Sequence, residues 1–344
     1  GGNNTATGSS SNITKYRFIV ESGFYSSLSV TGGNYTRNNY INGEAVYGND
    51  YDRVLKDNTK LDVYFCASGS WGNNIYQSGA ASIAMHTRVK SGQFGSARPT
   101  NTNNNDSAYS YGIYVGGRQA GQNNAAREAV IEGGWIYNLI GGPIVPSGNA
   151  SYNSTYIYVK GGEVDVIIGG AGRTTTYGNR IIQVTGGTIN HSIFGGSNGV
   201  TSSSSGDQAG ALSGSPYIYV GGTAQVGGET EVANNTTLFG FEAGSIFGIG
   251  NGKTGESGIG TADNSYIIIN DSARILRNVY GGGNFGAVGI NSSASTSNTR
   301  IDILGGTIEG SVFGGGNKNG SGSTSKKQEY AIPISSNLFV IGFV

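Results

Sequence analysis

The sequence predicts an all-β fold of stacked repeats, a β-solenoid, on three observations. First, one phrase recurs: alternating β-branched residues lead to Gly-Gly, a second short apolar run follows, and an aromatic residue or Ile precedes another Gly-Gly. It reads IYVKGGEVDVIIGG from Ile157, IQVTGGTINHSIFGGSN from Ile182 and IDILGGTIEGSVFGGGN from Ile301, with looser copies from Val130 and Ile267. Second, the Gly of the later step falls at Gly141, Gly169, Gly195, Gly248, Gly281 and Gly314, in steps of 28, 26, 53, 33 and 33 residues. The longest step reads as two repeats, with Phe239-Gly240 between them. Third, no window sustains helical periodicity, whereas short alternating runs recur throughout. A unit this short cannot bury its own apolar face and must stack on its neighbours.

Composition agrees with a folded chain. With 62 Gly and 5 Pro in 344 residues, the two make about 19%, below the roughly 25–30% of low-complexity chains. The Gly is also periodic, which points to tight turns. Charged residues are 12%, and 21 basic residues balance 21 acidic ones. No basic stripe gathers, so no nucleic-acid partner is expected, because phosphate binding needs a positive footprint. The single Cys, Cys66, reads as a small buried hydrophobe. The longest apolar run, 338–344, is far short of the roughly 20 residues of a transmembrane helix, and no transmembrane segment is expected. No signal peptide opens at Gly1, so the chain reads as a mature or excised segment.

Taken in order, residues 1–14 are rich in Gly, Asn, Ser and Thr and are predicted to be a flexible N-terminal segment. The solenoid is expected over 15–325, clearest over 110–320, with the more aromatic segments 15–30 and 61–67 forming or leading into an N-terminal cap. In 112–115, 156–159, 217–220 and 266–269, alternation puts Ile and Val on one side, toward the core, and mostly Tyr on the other. The Gly-Gly that follows turns a corner, and the next apolar run starts a second sheet. Parallel pairing at about 4.8 Å per layer, over some eleven or twelve layers, predicts a rod of roughly 50–60 Å. Polar insertions of variable length, such as 99–106, 201–215, 252–264 and 291–298, are expected as corner loops. The segment 326–344 is an apolar C-terminal strand, read as an end cap, a strand given to another subunit, or the stub of a further domain.

Candidate contact residues follow from the outward side of the first sheet. Tyr114, Tyr156, Tyr158, Tyr217, Tyr219 and Tyr266 are predicted to form a file along the rod, interrupted by Ile181 and Gln183 and ending at Arg300 and Asp302. Aromatic faces with nearby Asn and Gln suit sugar rings or another protein's surface. Tyr is also simply a good strand residue, stacked on its neighbours for a few tenths of a kcal/mol, and both readings stand. Asn198, Asn251, Asn284 and Asn317 share a stricter turn signature: an aromatic, Gly, any two residues, then Asn. They read as a structural ladder of amides running from repeat to repeat, in preference to an outward row that donates to a ligand.

Catalysis finds weaker support. Glu163 and Asp165, at i and i+2, share a strand face, but the matching places in other copies hold Thr188 and Asn190, then Thr307 and Glu309. A solvated strand edge is the preferred account of the pair. His86 and His191 stand without ligand-spaced partners, and His191 reads as a surface-turn residue. No nucleophile elbow appears, and the Gly-Gly-Gly-Asn turns do not lead into the helix of a phosphate-cradling loop. No metal and no cofactor are expected.

The phrase GGTI-x-x-S-[IV]-F-G-G, at 186–196 and 305–315, resembles the right-handed parallel β-helix repeats of bacterial surface proteins of adhesin-like, pectate-lyase-like and autotransporter-passenger-like kinds. The resemblance covers about residues 110–320 and implies an extracellular or cell-surface address and contact with glycans. It carries over no catalytic residue, since one fold hosts many activities. The expectation is therefore a non-catalytic surface adhesin or structural module that binds glycans or host or neighbouring surface proteins. A self-assembling filament or surface-layer subunit using the C-terminal strand is the first alternative. A polysaccharide lyase, hydrolase or tailspike-like protein is the second.

Overall fold

The computed structural model describes, with side chains, residues 128–142, 154–170, 176–197, 212–228, 243–251, 262–284 and 298–317, together with Val89, Ile113 and Val115, and the backbone of further strands outside them. Among the described residues every regular element is a strand and none is a helix. Ten strands form the first sheet, in chain order: Lys15–Val20, Lys60–Phe65, Met85–Val89, Arg127–Ile131, Thr155–Val159, Arg180–Val184, Pro216–Val220, Ser265–Ile269, Thr299–Ile303 and Gln328–Ala331. Each pairs in parallel with the next. Strands of a second, fourteen-stranded sheet alternate with them along the chain, so that Glu163–Ile168 follows Thr155–Val159 and Thr188–Phe194 follows Arg180–Val184.

Among the described residues the ten strands of the first sheet make ten layers that span about 43 Å at the parallel-strand spacing, where eleven or twelve layers were expected of the whole chain. Near the N-terminus, Lys15 and Lys60, and then Met85 and Arg127, occupy neighbouring register positions although many residues separate them along the chain. The segments expected to cap the fold supply its first two strands, Lys15–Val20 and Lys60–Phe65, paired as ordinary members of the first sheet. At the other end, Gln328–Ala331 pairs with Thr299–Ile303 of its own chain. Residues 1–14 and 332–344, with the expectations placed on them, lie outside the described residues, as does Cys66.

Alternation assigns the core. Ile157, Ile182, Ile218, Ile267 and Ile301 form one register row of the first sheet; Val159, Val184, Val220, Ile269 and Ile303 form the next inward row. None is more than 4% exposed. The second sheet answers with a row through Val164, Ile189, Val226 and Ile275, and another through Ile167, Ile193, Ile246 and Val279. All belong to one apolar cluster. Each such side chain contributes about 1.5–3 kcal/mol by leaving water.

The periodic glycines have a steric cause. A methyl group at Gly141 would overlap the carbonyl oxygen of Gly169, and the same collision repeats from Gly169 to Gly195, Gly195 to Gly248, Gly248 to Gly281 and Gly281 to Gly314. The backbone hydrogen bonds of this corner run straight from layer to layer, with Gly169 N–H donating to Phe194 O and Gly195 N–H to Phe247 O, both at 2.8 Å. The column therefore requires glycine because neighbouring backbones lie where a Cβ would be.

The aromatic residues before Gly195, Gly248, Gly281 and Gly314 make a second column. Phe194 and Phe247 stack at 5.1 Å, Phe247 and Tyr280 at 4.9 Å, and Tyr280 and Phe313 at 4.9 Å, all within 9° of parallel. Phe194 follows the core residue Ile193 and so lies on the opposite face of its strand, yet both are 0% exposed. The second sheet is covered on both faces there.

Candidate functional site

The outer face of the first sheet carries two register rows. One runs Glu128, Tyr156, Ile181, Tyr217, Tyr266, Arg300; the other runs Val130, Tyr158, Gln183, Tyr219, Ile268, Asp302. The tyrosines thus form two short files side by side, with the interruption at Ile181 and Gln183 and the ionic end at Arg300 and Asp302 where the spacing put them. Tyr114 lies elsewhere: Gly112–Tyr114 pairs with Trp135–Ile140 and Ile75–Gln77, in the second sheet. Its phrase, Tyr-Val-Gly-Gly, is ambiguous because strands of both sheets end in an apolar residue and a Gly-Gly.

The files differ from a run of open ring faces. Tyr217 and Tyr266 stack at 4.7 Å and 6°, so the facing sides of these two rings cover one another. The ring separation matches the strand spacing, so the ring normals run along the stack and the rings present their edges outward. Tyr217 is nonetheless 39% exposed. Tyr156 and Tyr158, two apart on one strand, lie at 6.4 Å and 17°. Burial, then the charge of Glu128, then Tyr156 push the Tyr158 hydroxyl above the usual tyrosine value. At the ionic end the Arg300 guanidinium grips Asp302 through Nε, at 3.0 and 2.9 Å to the two carboxylate oxygens.

Tyr219 is tied to the corner above it. Its hydroxyl donates to Asp271 Oδ2 at 2.9 Å, and Gly222 N–H donates to the same oxygen at 2.8 Å. Asp271 has φ 56°, the one left-handed non-glycine residue among those described, at the position where the preceding repeat has Gly222 at φ 58°. Asp tolerates this region better than most side chains. The Gly222 N–H first, and then the Tyr219 hydroxyl, hold the carboxyl below its ordinary value.

The asparagine turns make a directed chain. Asn284 Nδ2 donates to Asn251 Oδ1 at 2.8 Å and Asn317 Nδ2 to Asn284 Oδ1 at 3.1 Å, with Asn284 fully buried. Asn198 lies outside the described residues.

The acidic pair is placed differently from a solvated edge. Glu163 is exposed, but Asp165 is 0% exposed. Asp165 Oδ1 accepts from Trp135 Nε1 at 3.0 Å and from Asn190 Nδ2 at 2.7 Å, and the same amide reaches Glu163 Oε2 at 3.2 Å. The pairing of Glu163–Ile168 with Thr188–Phe194 shifts register between Val164 and Val166, so one extra residue of the later strand is accommodated here. That irregularity carries His191 inside the strand, fully buried, in place of the expected surface turn, and desolvation pushes its imidazole down to about 3. His86 belongs to Met85–Val89 of the first sheet. Among the described residues no three His, Cys, Asp or Glu side chains gather as a metal would need.

Two polar ladders escaped the sequence reading. At the bend of the second sheet, Ser245 N–H donates to Ser192 Oγ at 3.3 Å, Asn278 N–H to Ser245 Oγ at 3.4 Å, and Ser311 N–H to Asn278 Oδ1 at 2.8 Å. The signal was present as the Ser before Ile-Phe-Gly or Val-Phe-Gly at Ser192, Ser245 and Ser311. Before the first sheet, Ser215 N–H donates to Asn179 Oδ1 at 3.0 Å, Asn264 Nδ2 to Ser215 Oγ at 3.2 Å, and Asn298 N–H to Asn264 Oδ1 at 2.9 Å. Variable loop lengths hid that second column.

Compared with known proteins, the chain matches no family model, no curated protein and no solved structure.

Proposed function

We propose that the chain is a right-handed parallel β-solenoid that acts as a non-catalytic extracellular surface module, an adhesin or structural element, and makes its contacts through the outer face of the first sheet. The handedness follows from the strong preference of parallel crossover connections within one sheet. One observation carries the binding reading: Tyr217 keeps 39% of its surface exposed while stacked against Tyr266 at 4.7 Å. A large ring held rigid before any partner arrives loses little conformational entropy on binding, which favours a recognition role. The polar columns at the corners supply rigidity to the same end, since each satisfies backbone or amide groups of the layer beside it.

The test is binding of the labelled full chain to an array of immobilised glycans and to a panel of extracellular-matrix proteins. Binding that weakens when Tyr217 and Tyr266 are both changed to Ala supports the reading. Absence of binding to either set overturns it.

A further inference from the structure

The strand Arg180–Val184 lies between Thr155–Val159 and Pro216–Val220 and differs from both on its outer face. Ile181 and Gln183 stand where the layer before has Tyr156 and Tyr158 and the layer after has Tyr217 and Tyr219. An isoleucine is shorter than a tyrosine by most of a ring, so the face is recessed at Ile181 between two aromatic layers. Two strand spacings separate those layers, about 9.6 Å.

The walls of this slot are set in advance. Tyr217 has one face against Tyr266 at 4.7 Å and 6°, which turns its other face toward the Ile181 layer. Tyr219 beside it is anchored through its hydroxyl to Asp271 at 2.9 Å. Gln183 lies half-buried at the floor, and among the described residues its carboxamide makes no hydrogen bond, leaving a donor and an acceptor for a ligand. Ile181, Gln183 and the four tyrosines bring no formal charge to the slot.

We infer that the slot between Tyr156 and Tyr217, floored by Ile181 and Gln183, takes one neutral pyranose ring of a glycan, its C–H face on Tyr217 and a hydroxyl on the Gln183 carboxamide. This rests on the surface-binding reading above. Width selects the ligand class: a flat aromatic ring held on both sides needs walls about 7 Å apart, two van der Waals contacts. A puckered sugar with hydrogens on both faces needs about 9–10 Å.

The experiment is a titration of the full chain with the methyl pyranosides of glucose, galactose, mannose and N-acetylglucosamine, read by saturation-transfer NMR, with the glycan array run in parallel. Ile181→Tyr is the decisive variant, because it continues the neighbouring aromatic file and fills the slot without opening the core. At least one pyranoside is expected to bind wild type in the millimolar range, about tenfold more weakly after Tyr217→Ala or Gln183→Ala, and not at all after Ile181→Tyr. The slot is overturned if no pyranoside binds at about 50 mM, or if Ile181→Tyr binds like wild type. Array binding that survives Ile181→Tyr removes the slot and leaves the broader surface-binding reading. An array on which wild type and every variant are silent, with no binding to matrix proteins, removes that reading as well.

Discussion

The side-chain amide of Asn284 donates to the side-chain oxygen of Asn251, in the preceding repeat, at 2.8 Å, and Asn284 in turn accepts from Asn317 at 3.1 Å. The chain of amides is directional, each residue serving as donor to one layer and acceptor from the next. Truncating Asn284 at its buried position interrupts it on both sides and leaves the amide oxygen of buried Asn251 and the amide nitrogen of half-buried Asn317 without these bonds. Asn284→Ala is expected to destabilise the protein by about 1–3 kcal/mol. Urea unfolding followed by circular dichroism measures this, and an unchanged midpoint would show that the ladder contributes nothing net.

Glycine at 195 is required by its neighbour. A Cβ there would overlap the carbonyl oxygen of Gly248 and press on Pro216. Gly195→Ala is expected to cost about 3 kcal/mol or more, at the upper end of overpacking effects. Ile193→Val, a single methylene removed from the buried cluster, sets the scale at about 1 kcal/mol. If the two variants unfold at the same urea concentration, the close approach of the backbones is not what selects glycine.

The imidazole of His191 is pushed down to about 3 by burial, below its usual value. Above roughly pH 6.5 both folded and unfolded states are neutral there; below it, only the unfolded chain takes up the proton until the folded value is reached. Stability is therefore complete above about pH 6.5 and falls by up to about 1.4 kcal/mol per pH unit beneath it. His191→Gln should flatten the acid limb between pH 6 and pH 4 in a series of urea denaturations, and parallel limbs for variant and wild type would refute the assignment.

Asp271 combines two roles that separate by substitution. Its folded value is depressed by the Gly222 N–H and the Tyr219 hydroxyl, so its contribution is present above the unfolded value of about 3.9 and is lost as pH falls through the lower folded value. Thermal melting curves of wild type and Asp271→Asn are expected to converge below about pH 4. At neutral pH, Asp271→Ala should melt below Asp271→Gly, because alanine at φ 56° keeps the strain while losing the bond. The reverse order would mean that the left-handed backbone costs nothing at this corner.

Much of the architecture was legible because its cause is local and repeated. The glycine column from Gly141 to Gly314 is the one that the periodic Gly-Gly steps marked, since one backbone collision recurs wherever one layer lies on the next. The inward Ile and Val and the outward Tyr156, Tyr158, Tyr217, Tyr219 and Tyr266 followed from two-residue alternation. Tyr114 was assigned to the wrong sheet because alternation and a Gly-Gly describe both sheets equally. His191 was expected outside, because the local register irregularity that accommodates one extra residue between Ile189 and Ser192 leaves no composition signal.

The period, the β character, the apolar rows and the glycine corners are thus written along the chain, because each depends on sequence neighbours or on identical neighbours between layers. The stacking of layers, by contrast, is what lays one face of Tyr217 on Tyr266, buries Asp165 beside Trp135 and Asn190, and lets Asp271 latch Tyr219. Those contacts join residues in different repeats across loops of unequal length. Their geometry is set by the stacking distance and the register between layers, quantities that spacing along the chain does not encode.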